Sequence, residues 1–458
     1  MLTRMRIRNL KSWPDTGDIA LKPITGFFGA NSSGKTSLLQ ALLLLKQTSD
    51  SSDRALTLHF GDKTSLVSLG DFQSAIYGHE LSNELVFELD WLQPKSFVVT
   101  DPREPANEIV RDERLGFSTR ICAENGRSGK VARLVVPELA YRVGNATFGM
   151  RQKSEGQSEY SLFAEGTHFQ FLRRAEGRKW PVPAPAKCYG FPDQVRAYHQ
   201  NAEFLSDLEL ALESQLRRIH YLGPLRAYPG RTYTWAGAQP TDMGQAGDKA
   251  VDALLSSRDR REKISRGKGR RRVTLEQYVA EWLERLGLIA EFRVESVAEG
   301  SQIFQVKVRK LAGGPESLIT DVGFGVSQVL PVVVLCFYVP EGSTVILEQP
   351  EIHLHPAVQA GLADVLLDAY RHRQVQILLE SHSEHLLRRL QRRVAEETAS
   401  PADLGLYFCE MGPKGSTLTN LQLDMFGRIT NWPKDFFGDE FGELAATQQA
   451  AISRRRRG

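Results

Sequence analysis

An octapeptide near the start of the sequence, GANSSGKT at residues 29–36, limits the architecture of this protein more than any other segment. It fits the pattern G-x-x-x-x-G-K-[ST] without a gap, and it lies between an apolar segment and a leucine-rich segment. A glycine-rich turn between a strand and a helix directs backbone N–H groups inward, and the helix start adds partial positive charge. The segment therefore predicts a phosphate-binding loop within an α/β core.

Each residue type in this loop suits the binding of a nucleotide. Lys35 can reach the β- and γ-phosphates, and the Thr36 hydroxyl can ligate Mg²⁺. The alternative, a Gly/Ser-rich turn that binds nothing, is disfavoured because a strand and a helix flank the loop. The remaining predicted contacts are Gly29, Asn31, Ser32, Ser33, Gly34 and Ser37.

Two further apolar segments end in polar residues. Residues 344–347 lead into Glu348 and Gln349, and residues 375–379 lead into the sequence ESHS. An acidic residue at the end of a buried strand is what a Mg²⁺ site opposite a phosphate loop requires. The sequence GFGVSQ at residues 323–328 is a Gly-rich turn that opens a helix, and it is a second candidate anion site.

In this order, the motifs resemble those of the ABC-type ATPase family, and more narrowly its prokaryotic branch with SMC, RecF and OLD-type ATPases. GFGVSQ, EQPEIHLHP and ESHSEHLL carry the resemblance together with the N-terminal phosphate loop, over about residues 1–75 and 320–390. The expected fold is α/β, an ABC/RecF-like P-loop ATPase head with a β-rich and helical insertion. No sustained heptad pattern is present, which argues against a long coiled coil.

The resemblance implies a head-to-tail dimer with two ATP molecules between the subunits. Glu348 would occupy the Mg²⁺ position, and His382 would contact the γ-phosphate. Gln73, in the sequence LGDFQSAIYG, is the candidate for the glutamine of the Q-loop. The γ-phosphate would be capped by the other subunit's Gly-rich turn, through Gly325, Ser327 and Gln328.

The end of the acidic strand departs from the family pattern. The general ABC family has Asp-Glu there, and the glutamate polarises the attacking water, whereas this chain has Glu348 and Gln349. Glutamine cannot accept a proton, and losing a general base typically costs about 10²–10⁴ in rate. We expect slow hydrolysis and a long-lived ATP dimer, unless Glu351 or a partner supplies the base. A glutamine can still orient a water molecule.

The motifs divide the chain into four expected parts. Residues 1–80 and 301–425 would form the ATPase core, residues 81–300 the insertion, and residues 426–458 a C-terminal tail. Too few residues follow the histidine motif for the Toprim nuclease that OLD-type proteins append, so an effector is expected on another polypeptide. Stand-alone ATPases of this kind often belong to anti-phage systems such as Septu, in which a nuclease is encoded alongside.

Charge predicts a local basic site and no general affinity for anions. The chain has 58 Lys and Arg against 55 Asp and Glu, a net charge of +3. The sequence RDRREKISRGKGRRR at residues 258–272 could contact a DNA or RNA backbone independently of base sequence, although a solvated loop is the alternative. Its cations are Arg258, Arg260, Arg261, Lys263, Arg266, Lys268, Arg270, Arg271 and Arg272.

Two further observations bear on the setting. The four cysteines lack zinc-site or redox spacing, and no apolar run reaches the ~20 residues of a membrane span, so we expect a cytoplasmic protein without a membrane partner. The sequence HYLGPLRAYP at residues 220–229 is either a structural turn or a loop near the nucleotide or a partner.

The expected function is therefore that of a slow Mg-ATP-dependent ATPase that dimerises on ATP and regulates a separate effector, for which a nuclease is the leading candidate, in anti-phage defence. A RecF-like DNA-repair or DNA-maintenance ATPase, acting as an ATP-gated DNA clamp, is one alternative. A nucleotide-sensing scaffold with little hydrolysis is another, because Gln349 keeps it open.

Overall fold

Eighteen strands and ten α-helices make up the part of the chain that the computed structural model describes, residues 1–101, 104–125, 131–154, 159–174, 180–267, 269–433 and 440–455. The strands are β1 Leu2–Leu10, β2 Trp13–Asp15, β3 Ile19–Ala20, β4 Ile24–Gly29, β5 Leu85–Asp101, β6 Glu104–Asn125, β7 Val131–Val143, β8 Ala146–Gln152, β9 Tyr160–Glu165, β10 Ile219–Leu222, β11 Tyr233–Thr234, β12 Glu291–Ser296, β13 Ile303–Arg309, β14 Glu316–Leu318, β15 Thr344–Glu348, β16 Gln376–Glu380, β17 Leu404–Gly412 and β18 Gly415–Asn420. The helices are α1 Lys35–Asp50, α2 Phe72–Ala75, α3 Asp193–Tyr198, α4 Phe204–Arg217, α5 Ala250–Asp259, α6 Leu275–Arg285, α7 Phe324–Tyr338, α8 Pro356–Arg373, α9 Glu384–Ala395 and α10 Glu440–Arg455.

A six-stranded sheet positions the predicted motifs. Its order is β10-β15-β16-β4-β17-β18, and only the edge strand β18 is antiparallel to its neighbour. Every residue of β4, β15 and β16 is buried, as expected for parallel strands that are covered on both faces. Because parallel strands end at the same edge, the phosphate loop after β4 lies beside the polar ends of β15 and β16.

A second, antiparallel sheet has the order β2-β1-β5-β6-β7-β8-β9, with β3 pairing to β1. In β1, Leu2, Met5 and Ile7 face the core that also contains α1, while arginines alternate with them. The C-terminal end of α1 is capped by Lys187, whose Nζ donates to the carbonyl oxygens of Thr48, Ser49 and Ser51 at 2.7–3.1 Å. The helix after the phosphate loop is therefore anchored between the two sheets.

Helices α5 to α9 cover the other face of the parallel sheet, next to a small sheet of β11 to β14. The mixed α/β class predicted from the sequence is confirmed. The longest described helix, α8, has 18 residues, so the described part of the chain contains no long coiled coil. None of its helices combines the length and the apolar character that crossing a bilayer requires.

One strand of the parallel sheet comes from the segment predicted as an insertion. Strand β10, Ile219–Leu222, pairs with β15 in parallel, and Leu222 lies opposite Leu347. The core sheet therefore draws on residues 81–300, although the four-part division itself stays a prediction.

Candidate nucleotide site

The phosphate loop follows β4. At two of its positions, neighbouring atoms lie so close that only glycine fits. Gly29 and Gly34 have φ angles of 137° and 90°, in the region that favours glycine. A Cβ atom on Gly29 would lie 2.1 Å from the Cys409 carbonyl oxygen, and one on Gly34 would lie 2.6 Å from Ser12 Oγ. The Trp13 indole donates to the Gly34 carbonyl oxygen at 2.9 Å. Strand β17 and the β1–β2 turn thus fix the shape of the loop.

Lys35 is buried inside this loop. Its Nζ donates to the carbonyl oxygens of Ala30 at 2.6 Å and Gly29 at 3.1 Å. Burial lowers the pKa of the ammonium group, and the nearby Glu380 carboxylate opposes that shift. Of the other predicted contacts, Ser33 is buried, Ser37 is half-buried, and Asn31 and Ser32 are exposed on the outer side of the loop.

The Thr36 hydroxyl donates to Glu380 Oε2 at 2.7 Å. Glu380 is the last residue of β16, which lies between β4 and β15, and it is 3% exposed. Sequence reasoning assigned only Glu348 to the Mg²⁺ position and overlooked Glu380. Glu380 ends a mostly apolar strand, as Glu348 does, but that pattern alone does not show that the strand lies beside the phosphate loop.

Glu348 ends β15, next to Glu380 in the sheet. It is 5% exposed, and its Oε1 has no hydrogen-bond partner among the described residues. Burial, together with the Glu380 charge, raises the pKa of Glu348 to about 7, while the Tyr221 hydroxyl and Arg226 oppose the rise. Two buried carboxylates, Glu348 and Glu380, thus lie side by side at this edge of the sheet.

The turn after β15 carries two further predicted catalytic residues, Gln349 and Glu351. Gln349 has a φ of 44° and His353 a φ of 61°, an uncommon conformation that costs about 1–3 kcal/mol per residue. The Gln349 N–H donates to the Glu380 carbonyl oxygen at 2.9 Å. Glu351 is buried, which raises its pKa, and it accepts the His382 N–H at 2.6 Å.

His382 is half-buried next to the phosphate loop. Burial lowers the pKa of its imidazole, the Lys35 charge lowers it further, and a hydrogen bond with Gly29 acts in the opposite direction. The structure therefore brings His382, Lys35, Thr36 and both carboxylates to one edge of the sheet.

The Gly-rich turn opens α7, but the side chains predicted to cap a phosphate point inward. Ser327 is 7% exposed and donates to the Phe324 carbonyl oxygen at 2.8 Å, and Gln328 is 3% exposed. Gly325 is half-buried, whereas the Phe324 ring is exposed and packs against His353 at 5.7 Å. The exposed part of the turn is thus Gly323 and Phe324, and the capping roles stay predictions.

Gln73 lies on the short helix α2, which Asp71 caps through the Ser74 N–H. Gln73 is exposed, and its described hydrogen bond joins its backbone carbonyl to His79. No described contact joins its side chain to the phosphate loop. Its assignment to a Q-loop therefore remains an expectation.

The sequence left the role of residues 220–229 undecided and did not assign Tyr221 or Arg226 to the site. Tyr221, on β10, faces the Glu348 carboxylate, and Arg226 is 8% exposed and donates to the Glu348 carbonyl oxygen at 3.4 Å. Of the two alternatives that the sequence left open, the loop near the nucleotide site fits this placement.

The donor set fits a triphosphate with Mg²⁺. A glycine-rich loop, a buried lysine, and the Thr36 hydroxyl beside Glu348 and Glu380 supply the groups that such a ligand requires. Among the described residues no group of three His, Cys, Asp or Glu side chains forms a protein-only metal cage. This suits Mg²⁺, which keeps several water ligands and binds through one or two carboxylates plus phosphates.

The predicted basic loop is ordered at its base. Ile264 and Val273 exchange backbone hydrogen bonds, and Arg266 binds Glu281 at 2.7 Å. A Cβ atom on Gly267 would lie 2.9 Å from His372, near the C-terminal end of α8. Since α8 is about 27 Å long, the loop is remote from the turn before α8.

The basic residues of this loop fall into two groups. Arg258 and Arg260 are paired with Glu276 and Glu262. Lys268 lies outside the described residues. The remaining cations are exposed, namely Arg261, Lys263, Arg270, Arg271 and Arg272.

Fold and site together define a P-loop ATPase. Residues 24–88 and 224–388, half of the chain, match the family described as "AAA domain, putative AbiEii toxin, Type IV TA system", and the chain belongs to that family. Proteins of this class generally hydrolyse ATP with Mg²⁺. The expected ABC/SMC-like P-loop ATPase is thereby confirmed. Residues 400–446 match a family described as a protein of unknown function, DUF3696.

Solved structures similar to this chain include heads of SMC proteins. One is the SMC head domain from Thermotoga maritima, with 11% identity, a TM-score of 0.39, and coverage of 92% of this chain and 99% of that one. Another is an SMC head bound to the C-terminal winged-helix domain of ScpA, with 10% identity, a TM-score of 0.44, and coverage of 92% and 98%. A third, an SMC head with an extended coiled coil bound to the C-terminal domain of ScpA from Pyrococcus furiosus, has 10% identity, a TM-score of 0.42, and coverage of 92% and 96%. The search of curated proteins finds no match.

Proposed function

We propose that this protein binds Mg-ATP, hydrolyses it slowly, and uses an ATP-dependent dimer to control a separately encoded effector in prokaryotic anti-phage defence. The observation that carries the ATPase part is the hydrogen bond of the phosphate-loop Thr36 to Glu380, with Glu348 on the next strand. Thr36 lies in the first turn of α1, and Glu348 and Glu380 end two neighbouring strands, so their meeting at one point suits a nucleotide and its metal.

Within this proposal each group of the site has a defined task. The loop N–H groups and Lys35 hold the phosphates, and Thr36, Glu348 and Glu380 hold Mg²⁺. Bound Mg²⁺ would neutralise charge that develops on the terminal phosphate. His382 lies beside Lys35 and would donate to the γ-phosphate side, which its neutral imidazole can do from one ring nitrogen.

Gln349 supports slow turnover. It occupies the position of the family's catalytic glutamate, and its side chain can orient water without accepting a proton. The test is phosphate release from Mg-ATP by the purified protein, with Lys35→Ala as the inactive reference. Turnover well below about 10 s⁻¹, the median for enzymes, supports the proposal. Turnover above that value contradicts slow hydrolysis, and ATP binding without any turnover favours the scaffold alternative.

The dimer part rests on an exposed apolar surface beside the site. Leu225, Tyr228 and Phe324 are 77%, 82% and 41% exposed, and the rings of Tyr228 and Phe324 are 5.5 Å apart. Such a surface suits a second copy of this chain. Light scattering with ATP should give twice the monomer mass for wild type and the monomer mass for Tyr228→Glu, which should still bind ATP but with a lower apparent affinity than the dimer. A monomeric wild type in ATP contradicts the proposal.

The defence part draws on the family description, which names a toxin of a toxin–antitoxin system. A nuclease is the leading candidate for a separate effector by analogy with OLD-type ATPases, which act together with a Toprim nuclease domain. Copurification of a nuclease encoded by a neighbouring gene, lost in Lys35→Ala, supports the proposal. Unchanged phage infection of cells that express both genes contradicts a role in defence.

One observation favours the DNA-clamp alternative. The ordered basic loop presents five described cations to solvent, a patch that suits a phosphate backbone. Replacing Arg270, Arg271 and Arg272 by alanine should reduce the slope of log affinity against log salt for duplex DNA by about 3. DNA-stimulated turnover without any partner supports the clamp, and no DNA binding at low salt excludes it.

A further inference from the structure

Arg226 is a buried arginine with too few partners. It is 8% exposed, and it lies four residues after the edge strand β10. Its Nη2 reaches the Glu348 carbonyl oxygen at 3.4 Å, but Nε and Nη1 have no partner among the described residues. Because an unsatisfied buried charge is costly, packing alone does not explain this residue.

The carboxylates around Arg226 are also incompletely satisfied. Glu348 Oε1 and Glu351 Oε2 are buried without a described partner. Burial lowers the pKa of Arg226 to about 10, and Tyr221, Glu348 and Glu351 act in the opposite direction. Donors and acceptors of opposite charge thus lie close together without being fully paired, an arrangement found at functional sites.

Both carboxylates are connected to the nucleotide site, Glu351 by a hydrogen bond and Glu348 by strand pairing. Glu351 Oε1 accepts the His382 N–H at 2.6 Å. Glu348 lies beside Glu380, which accepts the Thr36 hydroxyl. A change in the position of the two carboxylates would therefore reach groups on both β16 and the phosphate loop.

We propose that Arg226 is a positioning residue of the nucleotide site, which orients the Glu348 and Glu351 carboxylates from the segment after the edge strand β10. This inference rests on the proposed ATPase function and deepens it. Strands β15 and β16 separate β10 from β4, a lateral distance of about 14 Å at the usual strand spacing. Arg226 therefore acts through the carboxylates, and its effect falls on Mg²⁺-dependent steps more than on nucleotide affinity alone.

The test compares wild type with Arg226→Gln and Arg226→Lys. The affinity for a fluorescent ATP analogue is measured in EDTA and in Mg²⁺, and phosphate release is measured against Mg²⁺ concentration. For Arg226→Gln the Mg²⁺ concentration at half-maximal turnover should rise about 10- to 100-fold, as for other residues that support metal ligands, with unchanged affinity in EDTA. Lysine keeps the charge but lacks the planar guanidinium group, so the Mg²⁺ concentration at half-maximal turnover of Arg226→Lys should lie between those of wild type and Arg226→Gln.

Arg217→Gln is the matched control, because Arg217 forms an exposed pair with Glu213 on α4, and it should behave as wild type. An unchanged Mg²⁺ dependence in Arg226→Gln overturns the inference. An equal loss of affinity in EDTA and Mg²⁺ also overturns it, since that pattern indicates direct phosphate contact. If urea unfolding shows that Arg226→Gln is not folded, Arg226→Lys decides. If wild type itself fails to bind ATP, the proposed function fails instead.

Discussion

Arginines and carboxylates are arranged in opposite ways on the antiparallel sheet and at the end of the parallel sheet. On the antiparallel sheet, Arg142 meets Asp90 at 2.6 Å and Arg120 meets Glu84 at 3.0 Å, all at least partly exposed. At the parallel sheet edge, Glu348 and Arg226 are buried with unsatisfied atoms. Exposed pairs contribute little to stability, whereas an unsatisfied buried group costs about 1–3 kcal/mol. The second arrangement therefore suits a site for a charged ligand, and the first suits a solvated surface.

The largest expected effect is the loss of Lys35. Lys35→Ala removes the buried cation of the phosphate loop, and we expect phosphate release to fall by about 10²–10³-fold, as for other charge-stabilising donors. The free energy of unfolding should not fall in parallel, because Lys35 bonds only within its own loop, to the Gly29 and Ala30 carbonyls and the Ser33 hydroxyl, and burial of its charge is costly. Lys46→Ala, which breaks a pair with Asp50 on the same helix, is the control. Equal turnover in both variants would contradict the assignment of the site.

Glu380→Gln should come next. The amide still accepts the Thr36 hydroxyl but lacks the charge that attracts Mg²⁺, so the Mg²⁺ concentration for half-maximal turnover should rise about 10- to 100-fold. Glu384→Gln, which affects a surface pair with Arg388, should leave it unchanged. If Glu348→Gln has this effect and Glu380→Gln does not, the metal position belongs to Glu348 alone.

Glu209 tests whether a buried carboxylate outside the nucleotide site affects only stability. It accepts the Phe191 N–H, and burial raises its pKa to about 7. The native state thus holds this proton to higher pH than the unfolded state, and stability is lost as the pH rises from about 4.5 through 7, by roughly 3 kcal/mol at most. Glu209→Gln should raise the free energy of unfolding at pH 8 by about 1–3 kcal/mol and leave it nearly unchanged at pH 4.5.

Urea unfolding at the two pH values measures this difference, with the exposed Glu203→Gln as the control. Turnover should be unaffected by Glu209→Gln. Loss of turnover in Glu209→Gln with unchanged stability would mean that Glu209 contributes to function, and would contradict the proposed difference between the two regions.

The smallest effect is expected at Arg120. Its pair with Glu84 is exposed on both sides, so Arg120→Gln should lower the free energy of unfolding by less than about 1 kcal/mol and leave turnover unchanged. Urea unfolding at low and high salt measures the loss, which should shrink as salt screens the pair. A salt-independent loss of several kcal/mol would mean that the antiparallel sheet also depends on its charges.

The sequence predicted the parts of the site that are local in the chain. The phosphate loop, helix α1 and the acidic end of β15 follow from short patterns, and each appears within a few residues of its expected bounds. Glu380 and Arg226 were not assigned because their roles depend on which strand lies beside which. A pattern in one strand does not show that β16 lies between β4 and β15.

Burial caused a second difference. Ser327 and Gln328 fit a Gly-rich turn in the sequence, but α7 is apolar on nearly all sides and is buried from Val326 onward. Their inward direction follows from packing against other segments, which a single motif does not report. The basic loop likewise suggested flexibility from its Gly and Ser content, while Arg266 and the Ile264–Val273 bridge hold its base.

The order of strands in the parallel sheet also determines when the sheet can form during translation. Strand β4 has β16 and β17 as its neighbours, and both are encoded more than 340 residues later. A ribosome that adds about 5–20 residues per second needs roughly 20–70 s to cover that interval. During this interval Phe27 and Phe28 of β4 have no neighbouring strands to pack with, and chaperones would shield them. The nucleotide site cannot assemble until β15 and β16 have been synthesised, so we expect a nascent chain that lacks these strands not to respond to ATP.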